Sequence, residues 1–335
     1  MSAAWVWAVR APEFWAHQGL VPTLLAPLAA LYEAAGAARQ IVARPWRAPV
    51  PVVCIGNLVA GGAGKTPVAL SLAALLSERG HQPHIVMRGY GGDLTDPVRV
   101  DPARHGARDV GDEALLLARA APCFVSRDRV AGARAAIAAG AKLVLLDDGF
   151  QNPSLVKDFS FIVVDGAYGF GNRMVMPAGP LRETVGRGLR RAQAVIIIGK
   201  DQCGSEAAVA GSLPVLRAAL VPQNAGEFAG RRVLAFAGIG RPAKFYATLE
   251  ALGAEIVQRR DFPDHHRYRA DEVSALLAAA RAHGALAVTT AKDRVRLPDD
   301  LRDGIGVLEV AIAWREPDAL IELLARSVLS PLPHG

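Results

Sequence analysis

Cysteine is scarce. Cys54, Cys123 and Cys203 are the only three in 335 residues. They are odd in number and far apart, which excludes a disulfide framework and a zinc pattern and suits a reducing cytosol. Aromatic residues make up only 6% of the chain, too few for a stacking platform that binds single-stranded nucleic acid. No run of Lys or Arg resembles a nucleic-acid tail. The best apolar stretch, GLVPTLLAPLAALY (19–32), has 14 residues and is interrupted by Pro22 and Pro27. A membrane-spanning helix needs roughly 20, so none is expected. A secretory signal also fits poorly, because the positive region ahead of this stretch is thin and Glu13 intrudes.

What is present is apolar: 51% hydrophobic against 21% charged residues, enough for a packed core and too much for a disordered chain. The length fits one large domain or two modest ones. A net charge of +6 and a pI near 9.5 favour anionic partners without choosing among nucleotides, phospholipid headgroups and nucleic acid.

Four of the five tryptophans, Trp5, Trp7, Trp15 and Trp46, fall in the first fifty residues together with the apolar stretch. One reading is a helix lying on a membrane surface, with Trp and Leu in the headgroup boundary and Arg10, Arg39, Arg44 and Arg47 meeting anionic lipid. The other is an ordinary helix docked on the core. These residues alone leave both open.

From Val50 onward, apolar β-branched runs alternate with Ala/Leu-rich stretches. Strands are expected at 50–56, 84–88, 142–148, 159–165, 194–199, 231–240, 285–290 and 306–312. Helices are expected at 67–79, 130–139, 243–252 and 271–283. Strands without polar alternation are covered on both faces, so the pattern predicts a doubly wound α/β fold with a parallel sheet. There is no internal repeat. The weakest connection is VPQNAGEFAG (221–230). The expected organisation is an N-terminal membrane-associated helical segment (1–48), a P-loop domain (49–225) and a smaller C-terminal α/β lobe (226–335).

The clearest chemistry is AGGAGKTP (60–67), placed after a buried strand and opening a helix. Ala60, Gly61, Gly62, Ala63 and Gly64 would turn backbone N–H groups around phosphate oxygens, aided by the helix N-terminus. Lys65 would reach the β- and γ-phosphates, and the Thr66 hydroxyl a Mg²⁺ ion. The strict pattern has glycine six residues before the lysine, where this chain has Val59. LVLLDDGFQ (143–151) supplies a second metal anchor, with Asp147 and Asp148 at a strand end. Side chains alternate along a strand, so one acid can face the metal while the other faces elsewhere.

GNLVAGGAGKTP (56–67), RGYGG (88–92), GDEA (111–114), DDGFQ (147–151), FGN with PAGPLRE (170–172 and 177–183), AFAGIGRPAKFY (235–246), FPDHHRY (262–268) and TTAKD (289–293) follow one another in this order. Together they resemble the tetraacyldisaccharide 4′-kinase family of lipid A biosynthesis, over residues 15 to 312. The resemblance implies two α/β/α lobes with the active site in the cleft between them. It also implies a bacterial enzyme on the cytosolic side of the inner membrane. Such an enzyme transfers the γ-phosphoryl of ATP to the 4′-hydroxyl of a tetraacylated glucosamine disaccharide 1-phosphate and yields lipid IVA. The partners implied are this lipid and the membrane surface, with no nucleic acid, and the expected state is a monomer.

Taken alone, Asp112 and Glu113 read as a helix cap and its first-turn neighbour. The resemblance instead makes Asp112 the acid that activates the acceptor and gives Glu113 a part in metal binding. Adjacent His265 and His266 read as surface histidines; the resemblance gives a role to His265, assisting Asp112 across the cleft, with Asp264 orienting it. Arg182, with its planar guanidinium, is a candidate cation for the transferring phosphoryl group or a substrate phosphate. Arg129, after CFVSRD, is a second. Departures from the family pattern are Ala114 for proline, Ala291 for glutamate and Met87 for serine; with Ala291 in that block, Lys292 and Asp293 read as structural. Two other functions stay open: a P-loop kinase for a soluble metabolite, and a nucleotide-switched binding protein. The latter usually carries N-K-x-D to read guanine, and the chain offers only TAKD (290–293).

Overall fold

The computed structural model describes residues 12–329. Trp5, Trp7 and Arg10 lie outside the described residues. Nine strands form the larger sheet. Eight come first in the chain: β1 (Val52–Gly56), β2 (Pro83–Met87), β3 (Val98–Arg99), β4 (Cys123–Val125), β5 (Leu143–Asp147), β6 (Phe159–Asp165), β7 (Ala194–Ile198) and β8 (Val215–Pro222). A smaller parallel sheet follows: β9 (Arg232–Ala237), β10 (Glu255–Asp261), β11 (Leu286–Thr290) and β12 (Ile305–Leu308). The chain then returns to the larger sheet as β13 (Val310–Trp314), antiparallel to β8. The larger order is β13-β8-β7-β6-β1-β5-β2-β4-β3, and the smaller is β10-β9-β11-β12.

The apolar runs fold as their composition dictates. Every residue of β1, β2, β5, β6 and β7 is buried, with one core on each face of the sheet. The smaller sheet likewise has Phe236 and Leu234 on one side and Phe245 and Leu249 on the other.

Three expectations need correction. No strand was expected between 199 and 231, yet β8 lies there; Arg217 interrupts its apolar run and only Leu216 and Ala218 in it are buried. The stretch 306–312 is two strands in two sheets, divided at exposed Glu309. The chain from Val310 onward thus belongs with the larger lobe: Ile312, Leu320 and Leu324 enter its core, although 226–335 was expected to form the smaller one.

The third correction concerns the N-terminus. Residues Leu20–Val42 form one 23-residue helix that runs through both prolines. Pro22 falls in the first turn, where no intrahelical N–H is needed. By length and composition this helix could cross a membrane. Part of it is fastened to the larger lobe: Leu25 and Ala29 join the core, Thr184 donates to Glu33 at 2.8 Å, and Arg39 and Gln40 donate to the Gln151 carbonyl. Leu20, Leu24, Leu28, Leu31, Ile41 and Val42 are exposed. Trp15 and Trp46, among the described residues, are held against the protein. Trp15 donates to the Pro177 carbonyl, and Trp46 lies under Arg134 and bridges to Leu155. Arg47 is paired with Asp158.

Candidate active site

The strand β1 delivers the chain into the glycine-rich loop, and the helix Lys65–Glu78 begins where the loop ends. Gly61 (φ 109°) and Gly64 (φ 86°) take left-handed conformations that favour glycine. A Cβ on Gly64 would also stand 2.5 Å from Ile198. The departure at Val59 has a structural reason. The loop's first residues are zipped to PAGPLRE: Ala60 N donates to Pro180 O, Arg182 N donates to Leu58 O, and Val59 bridges Leu181. This position is extended and buried, and the turn begins only at Gly61. Asn57 braces the loop by donating to Val59 O and Gly61 O, and its Oδ1 accepts from Lys65 Nζ at 3.2 Å.

The neighbouring strand β5 ends in two acids with different fates. Asp147 is buried, and its Oδ1 has no hydrogen-bond partner. Burial and the nearby Glu113 carboxylate push its pKa up to about 7. Asp148 has a positive φ of 49°, which turns its carboxylate towards cations. It lies 3.5 Å from Lys65 Nζ and accepts from Arg182 Nη1 at 2.8 Å. Burial raises the Asp148 pKa, but Lys65 and Arg182 outweigh burial and leave it below the usual carboxylate range. Arg182 also donates to Gln151. Arg129 is buried, with Nη1 on the Ser126 carbonyl.

The short helix Asp112–Leu117 brings two further acids. The Thr66 hydroxyl donates to Glu113 Oε1 at 3.0 Å, which joins the phosphate loop to this helix. The smaller lobe meets both acids with cations: Lys292 pairs with Glu113, and Arg296 Nε lies 3.2 Å from Asp112 Oδ2. His265 Nδ1 is 3.0 Å from the same Asp112 oxygen. Burial alone would raise the Asp112 pKa, but the hydrogen bond and charge of His265, with Arg296 and Lys292, bring it below its usual value. Conversely the Asp112 hydrogen bond raises the His265 pKa against its own burial.

Most residues singled out from the sequence therefore converge around the phosphate loop: Lys65, Thr66, Asp112, Glu113, Asp147, Asp148 and Arg182, with His265 of the smaller lobe meeting Asp112. Asp264 Oδ1 accepts from the His265 backbone N, but stands 3.9 Å from its Nε2. It therefore shapes the loop and does not hydrogen-bond the ring. His266 is occupied by Glu272 and stacks on Phe262. In TAKD, Asp293 is fully buried on Gly238 N and Tyr268, so it cannot read a base. Lys292, expected to be structural, reaches the site. Arg296 and Asn57 were missed; the one signal for Arg296 was its position four residues after Lys292, one helical turn on.

A glycine-rich loop that leaves a buried parallel strand and opens a helix with Lys65 and Thr66, beside acids at the end of the neighbouring strand, has the form of the P-loop phosphotransferases. The family model described as tetraacyldisaccharide-1-P 4′-kinase, LpxK, matches residues 21–329. The tetraacyldisaccharide 4′-kinase of Rhodospirillum centenum is 56% identical over 98% of this chain and 99% of its own. That of Gluconacetobacter diazotrophicus is 55% identical over 94% of this chain and 97% of its own. The crystal structure of LpxK from Aquifex aeolicus in complex with ATP superposes with a TM-score of 0.75 at 25% identity, covering 92% of this chain and 99% of that one. The chain belongs to the tetraacyldisaccharide-1-P 4′-kinase family. It is accordingly an enzyme, a kinase of lipid A biosynthesis, with the fold its sequence pattern predicted.

Proposed function

We propose that the chain transfers the γ-phosphoryl of ATP to the 4′-hydroxyl of a tetraacylated glucosamine disaccharide 1-phosphate, giving lipid IVA, as a monomer at the cytoplasmic face of the inner membrane. The observation that carries this reading is the 3.0 Å contact between His265 of the smaller lobe and Asp112 beside the phosphate loop.

The loop amides from Ala60 to Gly64 and the Lys65 ammonium bind the β- and γ-phosphates. Arriving phosphate oxygens compete with Asp148 for Lys65, which is the only carboxylate within ion-pair reach of that ammonium among the described residues. Arg182, braced by Asp148 and Gln151, supports charge developing on the transferring group. Arg129 adds positive charge from behind the strand ends.

The residues fit Mg²⁺. The orphaned Asp147 Oδ1 is a buried oxygen in want of a cation, and Thr66 Oγ1 and Glu113 Oε1 lie 3.0 Å apart beside the loop. Mg²⁺ usually takes one or two carboxylates plus substrate phosphates. Thr66, Asp147 and Glu113 would hold it, with Asp148 next to them. When bound, Mg²⁺ neutralises charge on the phosphate oxygens.

Asp112 receives the proton of the sugar hydroxyl. Its depressed pKa is no obstacle, because in a loose transition state the hydroxyl loses its proton late. His265 holds the carboxylate through Nδ1, and Tyr90 packs edge-on at 5.5 Å against the imidazole. The exposed leucines of helix Leu20–Val42 would rest in the bilayer boundary, where a tetraacylated substrate resides. The test is mass spectrometry of lipid recovered after incubation of the purified enzyme with ATP, Mg²⁺ and the tetraacyl disaccharide 1-phosphate in detergent. A product heavier by one phosphate is expected; recovery of unchanged lipid only would overturn the reading.

A further inference from the structure

The Arg296 side chain is only 3% exposed, and its guanidinium lies against Asp112 and against the backbone of the loop that carries His265. Its Nε lies 3.2 Å from Asp112 Oδ2, the oxygen that His265 also contacts. Its Nη1 donates to Gly238 O at 2.9 Å and to His266 O at 3.2 Å. Gly238 O is also the acceptor for the His265 backbone N–H. The guanidinium therefore clamps the histidine loop through its backbone, while its Nε, which donates to Lys292 O at 3.1 Å, lies in ion-pair contact with the aspartate. Asp293 backs it at 3.2 Å and itself binds Gly238 N and Tyr268. On the far side, Asp112 Oδ1 is held by the Glu113 backbone N–H at 2.9 Å.

We infer that Arg296 is a positioning residue for phosphoryl transfer, holding the Asp112 carboxylate and the His265 loop in register so that the proton acceptor faces the sugar hydroxyl. A purely structural need for the buried charge would be met inside the smaller lobe by Asp293. The reach to a second carboxylate, on the other lobe and at the reacting end of the cleft, is what a stability role does not require. The planar fork suits this task, since it addresses two carboxylates and three carbonyls at once. The inference rests on the reading of Asp112 as proton acceptor.

The experiment compares Arg296→Met, Arg296→Lys, Asp112→Asn and the Arg296→Met/Asp112→Asn double variant of the full chain. It measures kcat, KM for ATP and thermal unfolding. Arg296→Met is expected to lower kcat by about 10- to 100-fold with KM for ATP changed less than about twofold, and Arg296→Lys to recover part of the loss. In the Asp112→Asn background the same change should cost less than about twofold, because residues acting as a unit are not additive. If Arg296→Met lowers kcat by the same factor in both backgrounds, or neither Arg296 variant lowers it, the inference falls. Should Arg296→Met fail to fold, Arg296→Lys is measured in the same two backgrounds with the same criteria. Near-normal turnover by Asp112→Asn would instead overturn the role of Asp112 itself.

Discussion

His265 Nδ1 and Asp112 Oδ2 lie 3.0 Å apart although 153 positions separate them in the chain and each belongs to a different lobe. The pair joins residues of two lobes, so under the proposed mechanism its assembly requires the lobes to meet. Removing the carboxylate should therefore disable chemistry and spare nucleotide binding. Asp112→Ala is expected to lower kcat by about 10²- to 10⁴-fold with the Kd for ATP little changed. Steady-state kinetics and calorimetry check both halves.

The same pair makes closure sensitive to pH. The Asp112 hydrogen bond raises the His265 pKa in the closed form above the roughly 6.5 of a free imidazole. Closure is then favoured fully below that free value, and the advantage is lost as pH climbs through the raised one. A fluorescence pair reporting lobe separation should show opening across this window. The His265→Ala variant should show no such step.

Asp147 has the same pH slope for a different reason. Its folded pKa is pushed up to about 7 by burial and Glu113, against about 3.9 in an unfolded chain. Metal-free protein thus loses stability from this group as pH rises from about 4 towards 7. At pH 8 without Mg²⁺, Asp147→Asn should raise Tm by about 2 °C or more, while kcat with Mg²⁺ falls by at least about tenfold. Scanning calorimetry and the kinase assay test the two effects separately.

Leu24, Leu28 and Leu31 lie on the exposed face of the N-terminal helix. Replacing all three with Gln should cut sedimentation with anionic vesicles severalfold, because each buried leucine contributes about 1.5–3 kcal/mol. Tm should hardly move, since Leu25 and Ala29 make the contacts with the core. Unaltered sedimentation would show that this face is not the membrane contact.

The fold was legible wherever a strand is covered on both sides. The run FSFIVVD is strand β6 to the residue, because uniform apolarity marks central parallel strands. It was illegible at β8, whose second face is only partly covered, and at Glu309, where one residue sends the chain from one sheet to another. The apolar stretch ended at Tyr32, but the helix runs on past Glu33 to Val42 and keeps Pro27 in its interior. In the site, glycine spacing exposed the phosphate loop, whereas Asp112 and His265 emerged only through family resemblance. Arg296 escaped notice since most arginines lie at the surface, and its burial depends on two carboxylates drawn from opposite lobes.

The return of β13 to pair with β8 has a consequence for how the chain is made. The ribosome must release the whole smaller lobe before the larger sheet can receive its edge strand, and the helix Pro317–Leu324 that fills its core comes later still. Since long-range strand pairing is slow and exposed to aggregation, the lobe begun first is completed last. Nascent chains arrested before Val310 would leave the ribosome with the β8 flank bare.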